Sequence, residues 1–193
     1  KASMTGLLLA GVVVNAFFSA LIMFITSIAR SDQVFSTIFW LMGNMAERTF
    51  ATLWVAGGLV TTAIIGLFLL APQLNVMTFG DTDARTMGIN VGRSRFIAFA
   101  LAAFITAIAV SLSGLIGFVG LIVPHAVRLV FGPDHRQLIP LSAITAAIFL
   151  VAADTVARVI VAPAQLPVGV ITALVGGPIF LLLLVKYTRK VGW

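Results

Sequence analysis

Long apolar runs separated by short polar breaks recur along the chain and set its organisation. The first covers roughly Leu7 to Ile28 and ends at "ARSD". A second runs from about Phe50 to Ala71 and is expected to stop at Pro72. Phe96–Leu112, Leu115–Phe131, Leu138–Val161 and Val168–Val185 follow, with "SGLIG" and "APAQLP" among the connections. About 18 or more consecutive apolar residues are enough for a helix to cross a bilayer. The pattern therefore predicts an all-α, polytopic transmembrane bundle of about six spans in a single domain, residues 1–193.

Two stretches break the rhythm. "VFSTIFWLMGNM" (Val34–Met45) is apolar but too short to cross, so it predicts a re-entrant or interfacial helix. Gly43 closes it and Trp40 has aromatic-belt character. Pro72–Arg95 is the longest polar segment and holds five of the eighteen Asp, Glu, Lys and Arg residues. It reads as two short helices broken near Gly80 and at Gly88.

Composition sharpens this picture. The chain is 61% hydrophobic and 9% charged, against about 25% charged in ordinary soluble domains. So few charges cannot coat a soluble globule. The absence of cysteine excludes disulfides and thiolate metal sites. The net charge of +6 does not form a nucleic-acid face, because the cations sit at the ends of apolar runs. Lys1, Arg85, Arg93, Arg95, Arg128, Arg136, Lys186, Arg189 and Lys190 fall on one side of a six-span topology. Arg30, Arg48 and Arg158 fall on the other. The positive-inside rule makes the first side cytoplasmic, with both termini and the Pro72–Arg95 loop. Val34–Met45 then lies outside.

Few residues carry candidate chemistry. Asp81 and Asp83 are placed to complement a helix dipole at its start, in a loop that is either a docking platform or a solvated connection. Glycines 114, 117 and 120 allow close helix packing. Asp154 and Arg158, at i and i+4, share a helix face and can pair. They form a self-satisfied pair or a contact for an external partner. His125 and His135 lack the spacing and companions of a metal site. No phosphate-binding loop, nucleophile elbow or chain of intramembrane carboxylates is present. Catalysis, ATP hydrolysis, a cofactor and a bound metal are therefore not expected.

"SGLIGFVGLIVPHAVRLVFGPDHRQLIPLSA" is very similar to the signature of FecCD-type permeases of ABC importers, relatives of the vitamin B12, haem and iron-siderophore permeases. "LLLAGVVVNAFFSAL", "FWLMGNM", "DTDARTMGINVGR" and "FLVAADTVARVIVAPAQLPVGVITALVGGPIFLLLL" match in the same order. The resemblance implies a fold of about ten helices, of which this chain resembles the later six.

It further implies coupling helices within residues 76–92, docking an ATPase subunit through Phe79, Gly80, Asp81, Asp83, Ala84, Arg85 and Gly88. Arg158 matches an arginine that faces the substrate-binding protein. Met4 and Thr5 match the neighbourhood of a gate, and Asn15 lies on the helix that matches the pathway-lining one. The implied function is a permease subunit importing an iron-siderophore, haem or cobalamin complex across the bacterial or archaeal cytoplasmic membrane. Its expected partners are a cytoplasmic ATP-binding subunit, a periplasmic or lipid-anchored substrate-binding protein, and a second permease subunit, identical or paralogous. The rival readings are an ion-gradient-driven transporter or channel, and an assembly subunit.

Overall fold

A computed structural model describes residues 4–45, 48–161, 164 and 166–190, without the side chains of 4, 5, 7 and 183–190. The described residues form eight helices: α1 Met4–Ile28, α2 Ser31–Leu41, α3 Phe50–Met77, α4 Asp81–Thr86, α5 Val91–Ser113, α6 Val119–Phe131, α7 His135–Val159 and α8 Val168–Lys190. Residues 1–39 form one unit and 40–193 another. In the first, α1 is a continuous apolar helix with Asn15 exposed on it. Asp32 stands in the first turn of the 11-residue α2, where a carboxylate complements the helix dipole.

The second unit is organised around α7, which packs against α3, α6 and α8, while α3 also packs against α5. Its buried core is thin and built of small side chains. Ala153, Ala157, Val168 and Ile171 form one cluster; Val123, Val127 and Leu138 form another. Large apolar residues such as Trp54, Leu69, Phe96 and Phe99 point outward. In lipid such exposure carries no hydrophobic penalty, and association rests on close packing and hydrogen bonds.

Among the described residues, four helices are long and apolar enough to span: Leu8–Ile28 within α1, α3, α5 and α7. The expected stop at Pro72 does not occur, because α3 carries that proline inside and runs on to Met77. The helix ends where the amides of Thr78, Phe79 and Gly80 fold back onto the carbonyls of Asn75, Val76 and Met77. One missing N–H is tolerated in a membrane helix when neighbours support it.

The fourth expected span is also different. α6 has 13 residues, a length of about 20 Å at 1.5 Å per residue, short of a hydrocarbon core of roughly 30 Å. Its beginning is replaced by non-helical backbone, Gly114–Phe118, in which Gly114 and Phe118 have φ of 69° and 66°. Such backbone is tolerated at membrane depth when protein encloses it. Here residues 40–45 and the start of α8 press against it. The Asn44 amide donates to the Ser113 carbonyl at 2.8 Å. A Cβ added at Gly114 would collide with the Trp40 carbonyl, and one at Gly169 with the Met42 carbonyl.

Candidate functional site

α3 and α7 run antiparallel, so each end of the pair gathers a different set of polar groups. At one end, α3 passes through Thr78–Gly80 into α4. Gly80 and Gly88, with φ of 127° and 82°, bracket this six-residue helix. Both angles are readily reached by glycine alone. Ala84 is fully buried and seats α4 on the helices beneath it. Asp81 and Asp83 occupy the first turn and Arg85 the last, each favourably placed in the helix dipole.

Asp81 also accepts from Arg95 Nη2 at 2.7 Å, tying α4 to α5. Both side chains are about half exposed, so the pair contributes at most about 1 kcal/mol. Phe79 and Met87 stand at either side of α4 at 75% and 65% exposure. Only one short helix forms here, not the two expected within residues 76–92. Residues beyond Gly88 enter α5 directly, because the Asn90 side chain accepts the Arg93 amide and starts that helix at Val91.

Beneath α4, the last turns of α3 hold two further helices. Ser94 Oγ donates to Gln73 Oε1 at 2.6 Å. Asn75 Nδ2 donates to Asp134 Oδ1 at 2.6 Å, and Asn75 Oδ1 accepts from the His135 amide at 2.8 Å. Oδ1 also lies 2.7 Å from His135 Nδ1. An amide oxygen only accepts, so Nδ1 carries the hydrogen. Asp134 caps α7 by accepting the Arg136 amide, and that bond, with the one from Asn75, holds its carboxyl below the usual range. Neither Asn75 nor Asp134 stood out in the sequence. An Asp two residues after Gly132 was a legible helix start, but its partner lies 59 positions away.

At the other end, Arg158 and Asp154 form the expected i, i+4 pair, with Nε 2.7 Å from Oδ2. Arg158 Nη2 also donates to the Met45 carbonyl at 3.1 Å. Nearby, Arg48 Nη2 reaches the Leu112 carbonyl at 2.6 Å and closes the end of α5. The expected site residues thus fall into two groups: Phe79–Gly88 at one end of the bundle and Arg158 at the other. Asn15 lies on α1 in the separate first unit, and the side chains of Met4 and Thr5 lie outside the described residues.

Known proteins resemble the chain along nearly its whole length. It is 42% identical over 185 residues to the hemin transport system permease protein HmuU of Yersinia pestis, covering 95% of this chain and 55% of that protein. It is 46% identical over 178 residues to the cobalamin import system permease protein BtuC of Halobacterium salinarum, covering 92% and 47%. A solved structure described as an inward-facing conformation of a metal-chelate type ABC transporter superposes with a TM-score of 0.88 at 31% identity. That match covers 96% of this chain and 60% of the other. The chain thus spans about half the length of the curated relatives it matches. The model of the FecCD transport family matches residues 1–186, and the chain is a multi-pass membrane protein that belongs to this family.

Proposed function

We propose that the chain is the core of a permease subunit in a binding-protein-dependent ABC importer. α4 is its cytoplasmic coupling helix, and it docks on a separate subunit that binds and hydrolyses ATP. The observation that carries this reading is the form of α4. It is a short helix on two glycine corners, seated by Ala84, braced by Asp81–Arg95, and flanked by exposed Phe79 and Met87. Two large apolar side chains at a polar, non-lipid edge favour insertion into a partner's groove. Burying one such side chain contributes roughly 1.5–3 kcal/mol.

Arg158, at the far end of α7, takes the role of a contact for an acidic patch on the substrate-binding protein. Its cation is already oriented by Asp154 and the Met45 carbonyl. A second permease subunit, identical or paralogous, completes the pathway. The cargo is a metal chelate: the relatives' names specify hemin, cobalamin and Fe(3+) dicitrate. Alternating access follows if ATP binding displaces α4 while the binding protein engages the Arg158 end, so that two sites bias one set of conformations.

The test is co-purification of the intact permease with its ATPase, followed by uptake of ferric siderophore, haem and cobalamin in a deletion strain. Recovery of the ATPase and ATP-dependent uptake of one chelate are expected. Uptake that persists without the ATPase overturns the reading in favour of a gradient-driven carrier.

A further inference from the structure

α3 and α7 are bonded to each other's surroundings at both ends. Beside α4, one Asn75 amide engages Asp134 and His135 through three contacts of 2.6–2.8 Å. At the opposite end, Arg158 of α7 holds the Met45 carbonyl in the segment leading to α3. The first bond set is unusual in kind. The amide of His135, the first residue of α7, is satisfied by a side chain of α3 and not by its own cap. Helix-start amides have no partner within their helix, so sliding α3 past α7 would strip α7 of a cap and leave Asn75 unpaired. Partly buried amides left unpaired are costly, which favours movement of the two helices together.

Asn75 is separated from Gly80, the first corner of α4, by four residues. These form the end of α3 and its tight exit, with no slack loop between. Two residues before Asn75, Gln73 holds Ser94 of α5. A push on α4 therefore arrives at a point bonded to α5 on one side and α7 on the other. α7 carries it over 25 residues, about 38 Å at 1.5 Å per residue, to the end where Arg158 stands.

We propose that Asn75 is a positioning residue for transport, latching α3 to the start of α7 so that the α4 platform and the Arg158 end move as one body. The inference rests on the proposed permease function and adds a residue outside both docking surfaces. Its chemistry makes it separable from simple structural support. Asn75→Asp sets two carboxylates against each other and breaks the latch. Asn75→Asp combined with Asp134→Asn exchanges the two groups and again sets a donor against an acceptor. Asp134 Oδ1 takes both the Asn75 amide and the Arg136 amide in the unaltered protein. The amide introduced at position 134 must therefore turn its nitrogen to the carboxylate introduced at position 75 and its oxygen to the Arg136 amide. That carboxylate still accepts from both N–H groups of His135.

The experiment uses the intact permease–ATPase complex in nanodiscs, with its binding protein. It reads co-purification, basal ATP hydrolysis, and stimulation of hydrolysis by the loaded binding protein. Asn75→Asp is expected to co-purify and to keep basal hydrolysis within about twofold, while stimulation falls roughly tenfold, within the range typical of coupling between sites. The double variant is expected to regain stimulation to within about threefold of the original, as a coupled pair requires.

Full stimulation in Asn75→Asp overturns the latch. So does a double variant that assembles without regaining stimulation while Asp134→Asn alone, whose oxygen can still accept both amides, is stimulated like the original. This comparison decides the matter even where Asn75→Asp fails to assemble. Failure of the unaltered permease to recruit any ATPase instead overturns the proposed function itself.

Discussion

Arg158 binds two partners at once: Nε meets Asp154 Oδ2 at 2.7 Å and Nη2 meets the Met45 carbonyl at 3.1 Å. The cation is thereby held in place with its side chain still 46% exposed. At that exposure the pair adds little stability, on the order of 0.2–1 kcal/mol. Its consequence is orientation of a positive charge toward whatever approaches that end.

Arg158→Glu should therefore slow association of the binding protein by about tenfold at low salt, as reversal of a rim charge acts mainly on the on-rate. The difference should shrink as salt rises, because the screening length falls from about 10 Å at 0.1 M to about 3 Å at 1 M. Asp154→Asn keeps the cation and the Met45 bond, so its effect should be smaller. Stopped-flow binding to the nanodisc-embedded permease across a salt series measures both. An association rate unchanged in Arg158→Glu removes the docking role.

Phe79 points outward from the bundle, so replacing it should leave folding intact and weaken only the ATPase contact. Phe79→Ala is expected to reduce affinity for the ATPase by about tenfold or more, from the roughly 1.5–3 kcal/mol lost with one buried large side chain. Thermal unfolding of the permease alone should move little. Ala84→Asp forces a charge into a fully buried seat and should damage both properties. Titration of purified ATPase against each variant, with melting curves alongside, separates the two kinds of loss.

Much of the helical framework was legible because an apolar run long enough to cross lipid is a strong signal that does not depend on distant residues. The Asp154–Arg158 pair was equally legible, since i, i+4 spacing fixes the geometry. Boundaries were lost where tertiary contact outweighed local preference. Pro72 marks a break in isolation, yet α3 passes through it. Leu115–Phe118 is as apolar as the span it precedes, yet the close approach of residues 40–45 holds it out of a helix. Asn75 was invisible for another reason: its partners lie 59 and 60 positions away.

The junction of residues 40–45, 113–118 and the start of α8 should tolerate no added bulk at Gly114. A Cβ there meets the Trp40 carbonyl, and the φ of 69° adds strain for any other residue. Gly114→Ala should cost about 1–3 kcal/mol from overpacking and roughly 1–3 kcal/mol more from a backbone conformation open essentially to glycine alone. Gly120→Ala is the control, since an added methyl there has nothing within 4 Å and alanine favours the helix by about 0.5–1 kcal/mol. Comparing yield and melting temperature in detergent tests the contrast. Equal behaviour of the two variants contradicts the close packing.

Asp134 gives the stability a defined pH dependence. Its carboxyl titrates below the ordinary 3.8, chiefly because the Arg136 amide and the Asn75 amide bond its charged form. A carboxyl with a lowered folded value adds stability that is fully present above its ordinary value. That contribution is lost as pH falls through the folded value, so the window lies below about pH 4. Asp134→Asn removes the titrating group while its oxygen can still cap α7. The unaltered protein should therefore be the more stable from pH 5 to 7, and its advantage over Asp134→Asn should narrow below about pH 4. Melting curves of both proteins in nanodiscs from pH 7 to 3 measure this directly. A stability difference that stays constant across that range removes the charged carboxylate from the latch.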